Sequence, residues 1–319
     1  MAIGQRGPSA VTGALAGRDF LSLHDFAPAE VQALVESGLQ FKAESGRGAL
    51  AGRSVVLIFL KPSTRTRVSF EVAVAALGGH PVYMPGAEMQ LARGETVGDT
   101  GRVLSELVDA IVVRAFGHRD VEALAAAASV PVVNALTDLL HPSQGLADLI
   151  TLREHFGKLA GLHLSYVGDG NNVCHSLCFA AAKTGMHLRI GAPSAFPPDA
   201  EVLAAARADA VATAAEIEVL EDAREAVRGA DAVYTDAWVS MGFEAGAEAR
   251  RRALLPYQVD KRLLGLAAPH AVFMHDLPAH RGEEVTDEVL DGPQSVVFVQ
   301  AGNRLPAAKA IMAAVLSAG

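Results

Sequence analysis

Short apolar runs rich in β-branched residues alternate with Ala-rich stretches along most of the chain. Runs of this length, bounded by Gly, Pro and polar residues, predict β-strands, and the Ala-rich stretches between them predict helices. Several runs are apolar at every position, as expected of strands that are covered on both faces. The pattern therefore predicts an α/β fold with doubly wound parallel sheets. The predicted strands are 54–60, 80–84, 109–115, 131–136, 163–168, 187–192, 217–222, 231–238, 271–277 and 295–300.

The spacing of these runs also predicts where the chain divides. Ten strands would make a large single sheet, so two smaller sheets are favoured. A predicted helix ends near Gly157 and a new strand begins at His163, so the division falls close to residue 150. We therefore predict a first domain of residues 1–150 and a second of residues 151–302. Residues 303–319 are predicted to form a helix, and the first ~17 residues, which are weakly patterned, a loose arm.

Composition narrows the classes of function. The net charge of −9 argues against a general nucleic-acid surface but leaves room for a small local anion site. Only two cysteines occur, so a disulfide framework is excluded and a reducing cytoplasm is expected. With His175 between them, Cys174 and Cys178 could bind a metal, but an apolar helix face is favoured because no further cysteine follows. No apolar run approaches the ~20 residues of a membrane span.

The first predicted strand leads into a candidate anion site, "KPSTRTR" (61–67). Pro62 is expected to stop the strand, and Ser63 to cap a helix that starts near Thr64. The start of a helix offers free backbone N–H groups, and cations there oppose the helix dipole unless an anion is bound. Arg65 and Arg67 therefore favour a phosphate site over a plain surface helix, which stays the alternative.

Two other kinds of site fit the sequence less well. The stretch "YVGDGNNV" (166–173) is similar to a dinucleotide loop, but Val173 occupies the place of the third glycine and no acidic residue ends the next strand. A lone histidine after a strand, such as His141, is more often structural than catalytic. A Ser–His–Asp hydrolase would need a G-x-S-x-G turn, which the sequence lacks. The full stretch "HPSQ" (141–144), with Arg114 ending another strand, favours a functional role for His141.

The stretch "STRTR" after an apolar strand resembles the carbamoyl-phosphate loop of the aspartate/ornithine carbamoyltransferase family. Further motifs follow in the order and spacing of that family, and together they are far more specific than any one alone. The combination of "GDGNNV", "SMG" and "LPAHRGEE" indicates the ornithine branch. The motifs are "HPSQGLADLITL" (141–152), "VGDGNNVCHSL" (167–177), "DAWVSMG" (236–242), "HDLPAHRGEEVTDEVLDGPQSVVF" (275–298) and "NRLPAAKAIM" (303–312).

The resemblance implies roles for particular residues. Thr66, Arg114 and His141 would polarise the carbonyl group of carbamoyl phosphate, and Gln144 would hold its nitrogen. Arg114, His141 and Asp276 are the candidate catalytic residues. The implied carbamoyl-phosphate contacts are Ser63, Thr64, Arg65, Thr66, Gln90, Arg114, His141, Gln144, Asp276, Leu277 and Arg304. The implied ornithine contacts are Asn172, Asp236, Ser240 and Met241.

The resemblance also implies the reaction and its setting. The carbamoyl group would pass from carbamoyl phosphate to the δ-amine of L-ornithine, giving L-citrulline and phosphate in arginine metabolism, without metal or organic cofactor. Residues 1–150 would bind carbamoyl phosphate, residues 151–302 would bind ornithine, and the helix 303–319 would pack back on the first domain. Family members are trimers or multiples of trimers, so a cytoplasmic homotrimer with no nucleic-acid or membrane partner is expected.

Two positions depart from the family pattern. Asp276 stands where the ornithine branch normally has cysteine, in a stretch that usually reads H-C-L-P. A carboxylate there would bind the ammonium form of the substrate and raise its pKa, which opposes attack, unless the carboxylate itself acts as a base. Gly302 replaces a glutamate before "NRLP", which weakens the expected support of Arg304. A carbamoyltransferase for another amine, such as lysine or an acylated ornithine, and a non-catalytic relative therefore stay open as alternatives.

Overall fold

The computed structural model describes residues 15–44, 46–239 and 246–316. The chain forms two compact units, Met1–Ile150 with Asn303–Gly319, and Thr151–Gly302. Each unit contains one sheet in which all the pairings are parallel. The predicted fold class, two doubly wound parallel-sheet α/β domains, is confirmed.

The first unit has a four-stranded sheet with strand order β2-β1-β3-β4. Neighbouring positions such as Val55, Val56 and Leu57 are all buried, because helices cover both faces of the sheet. The last helix, α13, packs against α1 and α2. The strands are β1 (Ser54–Phe59), β2 (His80–Pro85), β3 (Ala110–Arg114) and β4 (Val132–Leu136). The helices are α1 (Pro28–Ala43), α2 (Arg65–Ala76), α3 (Val97–Ser105), α4 (His118–Ala127), α5 (Pro142–Phe156, which contains the division at residue 150) and α13 (Arg304–Val315).

The second unit has a five-stranded sheet with strand order β7-β6-β5-β8-β9. Its core includes Val167 and Val233 from the middle strands and Phe273 from β9. The strands are β5 (His163–Val167), β6 (His187–Gly191), β7 (Ile217–Leu220), β8 (Ala232–Thr235) and β9 (Val272–His275). The helices are α6 (Asn172–Thr184), α7 (Ala200–Ala210), α8 (Ala223–Val227), α9 (Ala247–Leu254), α10 (Lys261–Leu264), α11 (Asp287–Leu290) and α12 (Val297–Gly302).

The tenth predicted strand, 295–300, is wrong. Only Ser295 forms a bridge, to Phe273, and the chain then enters helix α12. Val297 and Gln300 are buried while Phe298 and Val299 are exposed, which is the spacing of one helical face. The β-branched composition of the run predicted a strand. The run forms a helix instead, because a helix buries residues three apart, such as Val297 and Gln300, on one face.

The first and the last described segments of the chain contact each other. Residues 1–14 of the predicted arm lie outside the described residues. Its last part is ordered, since Leu15 is buried and the Gly17 N–H donates to the Val315 carbonyl at 2.9 Å. The predicted final helix is confirmed as α13. None of the helices in the described residues is long and apolar enough to cross a bilayer.

Candidate active site

The strand order places a binding position in the first unit. Strand β1 lies between β2 and β3. The chain passes to one side of β1 to form β2 and then crosses to the other side to form β3, so the connections diverge between β1 and β3. Ligands of open α/β sheets bind at such a switch point, beyond the carboxyl ends of the strands. Phe59 pairs with Arg114 at that edge, so the loop after β1 and Arg114 at the end of β3 lie side by side.

The loop after β1 leads into helix α2, with Thr64 as its N-cap. The predicted cap from Ser63 is wrong, because the N-cap is Thr64 and its side chain forms no capping hydrogen bond. The strand ends at Phe59, three residues before Pro62, and the Leu60 N–H donates to the Arg114 carbonyl at 2.9 Å. A helix start of this kind presents backbone N–H groups toward a ligand.

The two predicted arginines of this loop differ in their surroundings. Arg65, the first residue of α2, is half-buried. The Arg67 guanidinium lies 3.4 Å from the centre of the Tyr83 ring and 3.1 Å from a Glu71 carboxylate oxygen. Glu71 therefore balances the charge of Arg67, and the anion role that the sequence suggested for both arginines stays a prediction.

Thr66 is the point at which two buried arginines meet. Its hydroxyl accepts from Arg304 Nη1 at 3.1 Å and lies 3.4 Å from Arg114 Nη1. All three side chains are buried. A pocket of about 180 Å³, part of which is open to solvent, lies beside them. Its lining is Thr66, Ser69, Phe70, His141, Ser143, Gln144 and Arg304. The structure thus brings together the predicted residues Thr66, Arg114, His141, Gln144 and Arg304.

Gln144 is oriented by a residue that sequence reasoning missed. Its Nε2 donates to an oxygen of Asp148 at 2.7 Å, one turn further along α5. Both side chains are buried. A carboxylate can only accept from the amide, so the amide nitrogen points to Asp148, and Gln144 Oε1 has no hydrogen-bond partner among the described residues. The i, i+4 spacing of "QGLAD" could have indicated this pair.

The pocket is strongly electropositive. Burial, and then the charge of Arg65, lowers the pKa of Arg114 to about 10, so it stays cationic at neutral pH. Burial and then the Arg114 charge lower the pKa of Lys61, a second residue that sequence reasoning missed. Such mutual repulsion is relieved when an anion binds.

His141 is neutral at physiological pH. Burial lowers its pKa well below 6.5, and the charges of Arg304 and Arg114 lower it further. Its Nδ1 lies 3.3 Å from the Ser143 hydroxyl. A neutral imidazole carries one N–H, so His141 can donate one hydrogen bond without adding a third positive charge to the pocket.

Gln90 in the first unit and Gly302 at the end of the second unit receive less support. Gln90 is exposed, at the start of the 3₁₀ helix Gln90–Arg93, and it does not line the pocket. Gly302, which replaces the family's glutamate, ends α12. A Cβ atom at Gly302 would meet no described atom within 4 Å, so a larger side chain would have room there.

The second unit has its own switch point, between β5 and β8. Asp236 follows β8, and the Asn171 Nδ2 donates to its Oδ2 at 2.8 Å. Asn171 also caps α6, since its Oδ1 accepts from the backbone of Val173 and Cys174. The predicted Asn172 is the first residue of that helix, whereas the predicted Ser240 and Met241 lie outside the described residues.

Cys174 and Cys178 belong to the same helix, α6, and both are buried free thiols. His175, between them, accepts a hydrogen bond from the Asp199 N–H at 2.8 Å through its Nε2. The arrangement matches the apolar helix face that the sequence favoured.

Two buried carboxylates lie at this second switch point. Burial raises the pKa of Asp236, and His275, the Ala237 N–H and Asn171 oppose that rise. Burial raises the pKa of Asp169 to about 6 even though Arg250 is hydrogen-bonded to it. Asp169 and Arg250 were not found from the sequence, because their pairing spans 81 positions.

Asp276 lies one residue beyond the end of β9 and is 9% exposed. Thr235 pairs with His275 across β8 and β9, so Asp236 and Asp276 occupy equivalent positions just past two neighbouring strands. Leu277 follows with a positive φ of 61°, a conformation that side chains other than Gly rarely adopt. The structure thus places the unusual aspartate on the same sheet edge as Asp236.

The fold and the two switch points define a two-unit α/β protein, with an electropositive pocket in one unit and a carboxylate-rich sheet edge in the other. Residues 18–154 match the family model described as the carbamoyl-P binding domain of aspartate/ornithine carbamoyltransferase. Residues 160–315 match that of the Asp/Orn binding domain. The chain belongs to the aspartate/ornithine carbamoyltransferase family.

Close relatives support the assignment along almost the whole chain. An ornithine carbamoyltransferase of Hyperthermus butylicus is 53% identical over 96% of this chain and 99% of its own. An anabolic ornithine carbamoyltransferase of Pyrococcus furiosus is 50% identical over 95% of this chain and 97% of its own. A solved Pyrococcus furiosus structure has 50% identity, a TM-score of 0.92 and coverage of 95% and 98% of the two chains. The Thermus thermophilus structure has 44% identity, a TM-score of 0.85 and coverage of 94% and 99%.

Proposed function

We propose that this chain is an ornithine carbamoyltransferase, which transfers the carbamoyl group of carbamoyl phosphate to the δ-amine of L-ornithine and forms L-citrulline and phosphate. The relatives named above carry this activity in their names, one of them as the anabolic enzyme, which fits arginine biosynthesis. The observation that carries the proposal is the meeting of Arg114 and Arg304 at the Thr66 hydroxyl, beside a neutral His141.

The phosphate of carbamoyl phosphate is a dianion and needs cations and N–H donors. The uncapped start of α2 supplies backbone N–H groups, and Ser63, Thr64, Arg65 and Thr66 supply side-chain contacts. Burial, and then repulsion between cations, lowers the pKa of Arg114 and Lys61. The dianion relieves the repulsion, which adds to its affinity. The exposed Gln90 is the weakest member of the proposed set.

The carbonyl oxygen gains negative charge as the amine attacks, so it needs donors held in advance. Thr66, Arg114 and His141 are the proposed donors. When Ser143 donates to Nδ1 of His141, the ring hydrogen is on Nε2 and can reach the carbonyl oxygen. Gln144 presents Oε1 to the carbamoyl NH₂ group, because Asp148 holds its nitrogen. Arg304 adds positive charge on the same pocket wall.

The amino-acid end of ornithine carries an ammonium and a carboxylate. We assign the ammonium to Asp236, a buried carboxylate held by Asn171, and the carboxylate region to Asn172 at the start of α6. Ser240 and Met241 are proposed to complete this pocket. A helix start suits an anion and a buried carboxylate suits a cation, so the two charges of the amino acid are matched.

The reaction is a direct displacement that needs no metal or organic cofactor. The lone pair of the neutral δ-amine forms a bond to the carbamoyl carbon, the bond from that carbon to the phosphate oxygen breaks, and the amine loses a proton. Asp276, on the sheet edge that carries Asp236, is proposed to bind the δ-ammonium and to accept that proton. The assignment of Asp276 and Leu277 to carbamoyl phosphate stays a prediction.

Citrulline formation by the purified protein tests the proposal. Absence of turnover at every pH from about 6 to 10 would contradict it, because the neutral fraction of the δ-amine rises steadily over this range toward its pKa of about 10.4. The aspartate in place of cysteine favours one alternative, a carbamoyltransferase for a different amine. Lysine, acylated ornithine and putrescine should each give a lower kcat/KM than ornithine. A non-catalytic relative would bind phosphate in calorimetry and form no product.

We further propose that residues 1–150 with 303–319 bind carbamoyl phosphate, that residues 151–302 bind ornithine, and that the protein is a cytoplasmic homotrimer or multiple of trimers. Two free, buried cysteines suit a reducing compartment. The first unit exposes apolar side chains one helical turn apart, Val68 and Val72 on α2. Light scattering should give a trimer mass, and Val68→Asp with Val72→Asp should lower it if that face is an interface.

A further inference from the structure

Trp238 is the only tryptophan of the chain, and it is buried two residues beyond Asp236 at the switch point of the second sheet. Its Nε1 is shielded from solvent and has no hydrogen-bond partner among the residues that the structure describes. An indole nitrogen can only donate, and a buried donor without an acceptor is unfavourable. Because a buried Trp usually finds a partner for its N–H, this group needs an explanation.

The N–H edge of the indole ring faces the loop that follows β5. Gly168 is the first residue of that loop, and a Cβ atom there would lie 3.6 Å from Trp238 Nε1 and 3.7 Å from its Cδ1. The same point is 3.5 Å from the Thr235 hydroxyl oxygen. These are ordinary contact distances, and the φ of 135° at Gly168 favours glycine. The missing side chain therefore leaves space for a ligand atom against the indole N–H.

The two carboxylates of this switch point are already engaged with other donors. Asp236 accepts from Asn171 Nδ2 at 2.8 Å, and Asp169 is paired with Arg250. Neither of them accepts from Trp238. An acceptor supplied by the substrate would satisfy the indole N–H.

The groups of ornithine identify that acceptor. The α-ammonium has only donors, and the δ-amine uses its lone pair in the attack on the carbamoyl carbon. The α-carboxylate is the one strong acceptor of the molecule. Its proposed contact, Asn172, lies at the end of the loop that Gly168 begins, and the indole N–H faces that same loop.

We propose that Trp238 binds the α-carboxylate of ornithine through its Nε1–H. The inference rests on the proposed function, since it adds a specificity residue to the same amino-acid pocket. With Asn172 it gives the carboxylate two donors, while Asp236 takes the ammonium. A diamine such as putrescine leaves the indole N–H buried and unmatched, so Trp238 selects amino acids over amines that lack a carboxylate.

The test compares Trp238→Phe, which keeps an aromatic ring and removes the N–H, with the control Tyr257→Phe. Tyr257 belongs to the same unit, and its hydroxyl donates to the Glu221 carbonyl at 2.6 Å, so the control loses a donor that already has a partner. For each protein, kcat and both KM values are measured by citrulline formation. Affinity for L-norvaline, which is ornithine without its δ-amine, is measured by calorimetry in saturating inorganic phosphate.

We expect Trp238→Phe to raise the KM for ornithine and the Kd for L-norvaline about tenfold, since the lost hydrogen bond is to a charged group. The KM for carbamoyl phosphate and kcat should change less than about twofold, and Tyr257→Phe should change none of these values by more than about twofold. An ornithine KM close to that of wild type, or equal rises in both KM values, would overturn the proposal, because a packing role predicts no selective effect.

The wild-type protein provides an independent test if Trp238→Phe does not fold. With a single tryptophan, a proton–nitrogen correlation spectrum contains one indole N–H resonance. Saturating L-norvaline should move this resonance downfield, as a hydrogen bond to a carboxylate does, whereas n-butylamine, which is norvaline without its carboxylate, should not. A resonance that L-norvaline leaves unmoved, or that both compounds move equally, would contradict the proposal. Wild-type protein that forms no citrulline would refute the proposed function, while the resonance would still report on Trp238.

Discussion

Replacement of Asp276 by Cys restores the residue that the ornithine branch normally has and removes a negative charge from the edge of the second sheet. The free δ-amine should have a pKa near that of lysine, about 10.4. Two unit charges 4 Å apart interact by about 4 kcal/mol at an effective dielectric constant of 20, and by about 1 kcal/mol in water. The carboxylate would therefore raise the pKa of the bound amine by about one to three units.

The burial of Asp276 selects the upper part of that range, because only 9% of the residue is exposed and solvent screening is weak. An amide carries no charge at any pH, whereas a thiol ionises at about pH 8.5 and then carries the same charge as the carboxylate. We therefore expect the rising limb of kcat against pH to lie about two to three units lower in Asp276→Asn, which keeps the size but not the charge, than in wild type. Asp276→Cys should follow Asp276→Asn below about pH 8.5 and approach wild type above it.

The assay is the initial rate of citrulline formation with saturating carbamoyl phosphate, from about pH 6 to pH 11. The rate of Asp276→Asn should level off near the free amine pKa of about 10.4, whereas the rate of wild type should still be rising. The concentration of carbamoyl phosphate is varied at the lowest and the highest pH, which excludes inhibition by this substrate as the cause of a change in rate. Rising limbs that coincide within about 0.3 unit in all three proteins would refute the reasoning, since a charge at this position would then not reach the amine.

Three further predictions concern residues of the two units. Thr66→Val removes the hydroxyl that accepts from Arg304 and lies beside Arg114. Hydrogen bonds to charged groups are worth about 1.5–3 kcal/mol, so the KM for carbamoyl phosphate should rise about tenfold or more while the KM for ornithine stays unchanged. His141 stays neutral in the folded protein but takes up a proton in the unfolded chain, so the free energy of unfolding falls by about 1.4 kcal/mol per pH unit below pH 6.5. Urea unfolding should therefore show a smaller loss of stability between pH 7 and pH 5 in His141→Gln than in wild type. Arg250→Met should raise the Asp169 pKa above about 6. Protonated Asp169 is the form that folding favours, so the stability of this variant should keep falling as pH rises from 6 to 8, whereas the wild-type contribution is already lost near pH 6.

The sequence predicted most of the fold because its signals are local. Nine of the ten predicted strands coincide with observed strands, and β1 and β3 show why: uninterrupted β-branched residues suit a strand covered on both faces. The tenth run has the same composition, but only Val297 and Gln300 are buried, and no local signal revealed that. Ser63 was a plausible cap, yet the helix starts at Arg65 without one among the described side chains.

The candidate site was predicted unevenly for the same reason. Thr66 and His141 follow strands and Arg114 ends one, and the strand order brings such positions together. Partners brought in by tertiary structure were missed: Lys61 beside Arg114, and Arg250 on Asp169. The roles of Ser240 and Met241 are unchanged by the structure, because both lie outside the described residues.

The contact between Gln144 and Asp148 also bears on the choice between acyl phosphates. With its nitrogen held by Asp148, Gln144 offers a carbonyl oxygen that only an N–H can satisfy. Acetyl phosphate has a methyl group in place of the carbamoyl NH₂, so its binding would leave that oxygen buried and unmatched. Sites built to hydrogen-bond a substrate group reject analogues that lack it far more strongly than they reject a change in size. An aspartate one helical turn behind the pocket would thereby keep the enzyme from acetylating its amine.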